Sequence, residues 1–178
     1  GKLISFIKSK STRPLKDSIK ENIFNIITHS NLIDVDLEKS TILDLYSGIG
    51  SFGLECISRG AEKITFVEKD KNAAEILKKN LINLGIKKNA TVVIDEIENF
   101  LKKDLSEKFE IIFLDPPFVD ESYLQELKSI KQNKNYKKNH LIIIHRERKS
   151  FENFKDILSP IVTKQYGRSK IIFGKFLR

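Results

Sequence analysis

From Thr41 onward, short apolar runs alternate with longer stretches in which apolar side chains recur every three or four residues. The runs Thr41–Tyr46, Lys63–Glu68, Ala90–Ile94, Phe109–Leu114 and Leu141–His145 predict strands. Between them the spacing predicts helices over Ser51–Arg59 and Lys71–Leu84, one through about Lys103, and one over Ser122–Gln132. In the second of these, Ala74, Leu77, Leu81 and Leu84 share one side, and Gly85 is placed to stop the helix in a left-handed cap. A short helix is predicted over Ser150–Ile157, and Lys131–Lys138 reads as a solvated loop. The tail, Pro160–Tyr166 and Lys170–Leu177 about the turn Gly167-Arg168-Ser169, predicts a hairpin. Upstream, Leu3–Ile7 allows a short strand. Arg13-Pro14 opens a helix to about His29 whose apolar face is Ile19, Ile23, Phe24, Ile26 and Ile27, and residues 30–40 form a polar connector.

Alternation of this kind implies βαβ units, hence an α/β fold with a mostly parallel sheet covered by helices on both faces. Seven strands are expected, one of them made antiparallel by the terminal hairpin. The 178 residues fit a single domain: a basic N-terminal extension with a helix over 1–40, and an α/β core over 41–178. The longest apolar runs, about six residues, are too short to cross a membrane. No signal peptide is visible, and the lone Cys56, inside a helical pattern, reads as a small buried hydrophobe. A cytoplasmic monomer is expected. The net charge of +8 favours an anionic partner, nucleic acid first, although Lys-rich composition also serves solubility. Lys8, Lys10, Arg13, Lys16 and Lys20 are the candidate phosphate contacts.

The strand Thr41–Tyr46 runs into Ser47-Gly48-Ile49-Gly50-Ser51-Phe52-Gly53, and a helix follows. Glycines there allow a tight turn and close approach of a ligand to the backbone, and the helix start offers free N–H groups. Glu68, eighteen residues after Gly50 at the end of the next strand, can accept from two ribose hydroxyls. Alone, this pattern fits any adenosine cofactor, NAD included. Asp44 sits where it would repel a pyrophosphate, but it suits the amino group and sulfonium of S-adenosylmethionine. The chain also has no room for the substrate domain of a dehydrogenase. Asp95, at the end of the third strand with Glu96 after it, can accept from an adenine amine or cap the following helix.

Asp115-Pro116-Pro117-Phe118 follows the apolar strand Ile111–Leu114. The prolines remove two N–H donors and stiffen the turn, leaving the Asp115 carboxylate and the Pro116 carbonyl as fixed acceptors. They match the two donors of an exocyclic –NH₂ on a base, and Phe118 supplies a stacking face. His29, His140 and His145 form no set, and no spacing suggests a metal. His145-Arg146-Glu147-Arg148 reads as a solvated charged turn that is also able to reach substrate.

On these residues the chain resembles the RsmD family, bacterial methyltransferases of the exocyclic N2 of a guanine in 16S ribosomal RNA. The resemblance lies in Asp44–Ala61, with its Leu54-Glu55 and Ser58-Arg59-Gly60-Ala61, and in Phe66–Asp70. It extends to Asp115–Phe118, the helix after Arg13-Pro14, and Tyr166-Gly167. Leu15 and Lys16 stand where the family usually has two Thr, Ser18 where it has Arg, and Ile49 where it has a smaller residue. The resemblance implies a Rossmann-like methyltransferase fold, S-adenosylmethionine bound by Asp44, Ser47, Gly48, Gly50, Glu68, Asp95 and Glu96, and catalysis by Asp115, Pro116, Pro117 and Phe118. The residues alone leave open an N6-adenine methyltransferase of DNA or RNA, and an RNA-binding module that has kept the fold without turnover.

Overall fold

Strand β1, Thr41–Leu45, is buried along its whole length, as a central parallel strand must be when helices cover both faces. The computed structural model describes residues 15–178. In chain order it contains α1 (Asp17–His29), β1, α2 (Ser51–Ser58), β2 (Lys63–Glu68), α3 (Lys71–Leu84), β3 (Ala90–Ile94) and α4 (Ile97–Leu101). Then come β4 (Phe109–Leu114), α5 (Tyr123–Asn133), β5 (Tyr136–Glu147), β6 (Leu158–Tyr166) and β7 (Ser169–Phe176). The strands form one sheet in the order β3-β2-β1-β4-β5-β7-β6. β1 pairs in parallel with β2 and β4, and β7 runs antiparallel between β5 and β6. Strand order reverses between β1 and β4, which opens a crevice at their C-terminal ends.

Alternate strand residues feed two cores. Ile42, Ile64, Phe66, Ile111 and Phe113 pack with α1, α2 and α3 on one face. Leu43, Leu45, Val67, Ile112 and Leu114 pack with α4 and α5 on the other. The apolar face of α1 (Ile19, Ile23, Phe24, Ile27) belongs to the first core. Phe24 and Phe113 stand on either side of Phe52, with ring centroids 5.4 and 4.0 Å away. Cys56 is fully buried there. Among the described residues no helix is long and apolar enough to cross a membrane.

Two stretches depart from the sequence reading. Lys131–Lys138 is not a loop: its first residues finish α5, Lys134 caps that helix in the left-handed region, and Tyr136 already begins β5. The Tyr136 ring packs on His140 and Phe176, at 4.4 and 4.7 Å between centroids, so tertiary contact overrides the polar composition. Residues 150–157 form no helix. Ser150 Oγ donates to the Glu147 carbonyl, the Asn153 side chain accepts from the Lys155 N–H, and Glu152 turns inward to Arg146 and Lys170. Such local side-chain bonds compete with helical ones. The expected strand at Leu3–Ile7, the helix start at Arg13-Pro14, and Lys8, Lys10 and Arg13 lie outside the described residues.

Candidate active site

The C-terminal ends of β1 to β4, with His145 of β5, surround a cavity of about 800 Å³. At the end of β1 the chain turns through Tyr46, Gly48 and Gly50, all at positive φ. Gly48 has open space where a Cβ would stand, whereas a Cβ on Gly50 would lie 2.3 Å from Leu77 Cδ1. Gly48, Ser47 and Asp44 therefore line the cavity, while Gly50 works behind the wall as the left-handed start of α2. Ser47 is held by its N–H and its hydroxyl, both donating to the Val67 carbonyl. Glu68 clamps the loop: one carboxylate oxygen accepts the Gly48 N–H at 2.7 Å, the other the Asp70 N–H at 2.8 Å.

Asp44 is 1% exposed. Its Oδ2 accepts the Gly53 N–H at 3.1 Å, and its Oδ1 has no partner. Burial pushes its carboxyl well up; the Gly53 bond opposes this, and the nearby Asp115 and Glu68 add to it. Asp95 borders the cavity but is largely engaged already. It accepts from the Glu96 N–H, from Asn99 and, at 2.9 Å, from Lys103, whose bond holds the carboxyl below its usual range. The N-cap of α4 is Glu96, with no side-chain cap bond, so Asp95 lines the cavity without capping the helix as the sequence allowed. Glu96 is exposed and lies 3.5 Å from Lys69.

Across the crevice, Asp115, Pro116, Pro117 and Phe118 line the same cavity. With two N–H donors missing, the turn is pinned through its carbonyls. Arg146, 3% exposed, donates to the Pro117 carbonyl at 3.1 Å and the Phe118 carbonyl at 3.0 Å. Its guanidinium lies 4.4 Å from the centre of the Tyr123 ring, and Glu152 and Lys170 extend the network behind it. His145 Nδ1 lies 2.7 Å from Asp115 Oδ1, and the Phe118 ring stands edge-on to the imidazole. The expected solvated turn at His145-Arg146 is therefore corrected: both side chains are buried and support the Asp115 turn. Each apolar run, Ile111–Leu114 and Leu141–Ile144, is followed at once by a polar residue, but only the strand register makes those two residues neighbours. The register pairs Leu114 with Ile144, setting Asp115 beside His145.

Tyr46 and Glu126, eighty residues apart, also meet here, the phenol 2.8 Å from each carboxylate oxygen. On the other flank, Lys20 reaches Ser51 Oγ at 3.2 Å and Asp17 at 3.1 Å, while Lys16 is exposed away from the cavity wall. Nine carboxylate side chains line the cavity against one lysine, Lys69.

The family model described as conserved hypothetical protein 95 matches residues 1–175. The ribosomal RNA small subunit methyltransferase D of Haemophilus influenzae is 35% identical over 150 residues, covering 83% of this chain and 75% of that one. The chain belongs to the RsmD family. A second relative bearing the same description, from Buchnera aphidicola, is 38% identical over 144 residues, 81% of this chain and 70% of that one. The crystal structure of a Haemophilus influenzae protein, 31% identical, superposes with a TM-score of 0.76 over 91% of this chain and 98% of that one. Two of the positions where this chain departs from the RsmD pattern, Leu15 and Ile49, lie on the cavity wall.

Proposed function

We propose that this chain transfers a methyl group from S-adenosylmethionine to the exocyclic N2 of a guanine in small-subunit ribosomal RNA. The observation that carries the reading is one cavity shared by the Gly48–Glu68 clamp and the Asp115-Pro116-Pro117-Phe118 turn. The residues fit the cofactor. The excess of carboxylates suits a cation, the unpartnered Asp44 Oδ1 suits an ammonium donor, and each Glu68 oxygen keeps a lone pair for a ribose hydroxyl. When bound, the cofactor supplies a methyl group on a sulfonium, which needs no further activation. Asp115 and the Pro116 carbonyl orient the amine, and Phe118 stacks on a base that is unpaired or flipped out. The choice of guanine and of ribosomal RNA follows the family. Lys8, Lys10, Arg13, Lys16 and Lys20 are the proposed phosphate contacts, Lys20 being tied to Ser51 of the cavity wall. The unit is read as a cytoplasmic monomer.

The test is incubation with labelled S-adenosylmethionine and small ribosomal subunits from a strain lacking the modification, followed by digestion to nucleosides. N2-methylguanosine is the expected product, and N6-methyladenosine would replace the base assignment. Asp115→Ala is expected to abolish transfer while leaving cofactor affinity, measured by calorimetry, within about twofold.

A further inference from the structure

The Asp115 carboxylate and the Pro116 carbonyl match any exocyclic amine, so they do not distinguish guanine from adenine. The ring nitrogen beside the amine does. Guanine carries an N1–H next to its N2 amine, whereas adenine carries a bare N1 next to its N6 amine. A guanine-selecting site therefore needs a third acceptor beside the two that hold the amine.

His145 has one to offer. Its Nδ1 lies 2.7 Å from Asp115 Oδ1, a contact that puts the proton of the neutral ring on Nδ1 and the lone pair on Nε2. Nε2 is buried and has no partner, a state that buried polar atoms rarely keep. The residue is 8% exposed, lines the same cavity as Asp115 and Pro116, and stands against the edge of Phe118, the proposed stacking face. We infer that His145 Nε2 accepts the ring N–H next to the target amine, and so selects a guanine edge. This rests on the proposed guanine methylation. It makes His145 a specificity residue with two ends: one holds the carboxylate that orients the amine, the other reads the neighbouring ring position. Losing a substrate hydrogen bond while leaving its buried partner unpaired is the kind of change that gives strong discrimination.

The experiment compares small subunits reconstituted with guanine or with 2-aminopurine at the acceptor position. The latter keeps the 2-amino group and lacks the N1–H. Both transfer and equilibrium binding, the latter without cofactor, are measured for the wild type and for His145→Asn. The Asn amide reaches the position of Nδ1, keeping a donor to Asp115, and has no counterpart of Nε2. The wild type is expected to prefer guanine by about tenfold in kcat/KM and in affinity. In His145→Asn that preference falls to about twofold or less, with unchanged affinity for S-adenosylmethionine. An equal preference in wild type and variant overturns the inference. So does a wild type that treats the two bases alike, a result that needs no variant to fold. If the wild type methylates neither, the guanine reading itself falls and takes the inference with it.

Discussion

Glu126 is 8% exposed, with three further carboxylates, Asp120, Glu96 and Glu98, close enough to act on it. Burial is the largest influence and raises its carboxyl from 4.5 to about 7, against the pull of the Tyr46 phenol. The native state therefore holds a proton that the unfolded chain releases between these values. Stability must fall as pH climbs from about 4.5 to about 7 and then level off, by about 3 kcal/mol for this group. Glu126→Gln keeps an acceptor for Tyr46 and removes the ionisation. The variant is expected to match the wild type at pH 5 and exceed it at pH 8 in urea denaturation. Equal gaps at the two pH values would refute the assignment.

At the level of elements, the glycine loop divides its tasks. A Cβ at Gly53 would lie 2.3 Å from Phe66 Cε1 and 2.8 Å from Ile64 Cδ1, so Gly53→Ala must push α2 off β2 at a cost of about 2 kcal/mol or more. Gly48→Ala meets no atom and strains only a left-handed residue, about 1 kcal/mol. Thermal unfolding of the two variants should rank them in that order. Behind the Asp115 turn, Glu152→Ala would leave Arg146 and Lys170 buried without their counter-charge, which typically costs about 3–5 kcal/mol. A melting temperature within two degrees of wild type would show that water or a rearranged side chain replaces it. The strands β1 to β4 and the Gly48 and Asp115 turns were legible in the sequence because each couples a local apolar period to a turn with its own chemistry. His145, Arg146 and Glu126 were not. Their roles exist only through pairing across the sheet and between helix and loop, and a charged run after a strand carries no local mark of being buried. Tyr136 failed for the same reason: its partners His140 and Phe176 lie in one long strand and in the last one.

For the molecule as a whole, a net charge of +8 surrounds a cavity whose charged lining is mainly carboxylate. The two signs suit two ligands, a polyanion outside and a cation within. Raising salt from about 50 to 200 mM is expected to weaken RNA binding by tenfold or more, through loss of counterion release. Cofactor affinity, set by the cavity, should change far less in the same titration, and a parallel decline would place the cofactor on the surface field instead. The stack of Phe24, Phe52 and Phe113 has a further consequence in time. Phe113 is made 89 residues after Phe24, and at about 5–20 residues per second the ribosome needs several seconds to deliver it. Ile19, Ile23, Phe24 and Ile27 therefore leave the exit tunnel seconds ahead of the strand they will cover. The apolar face of α1 is thus a stretch that a nascent-chain chaperone can hold until its strand is made.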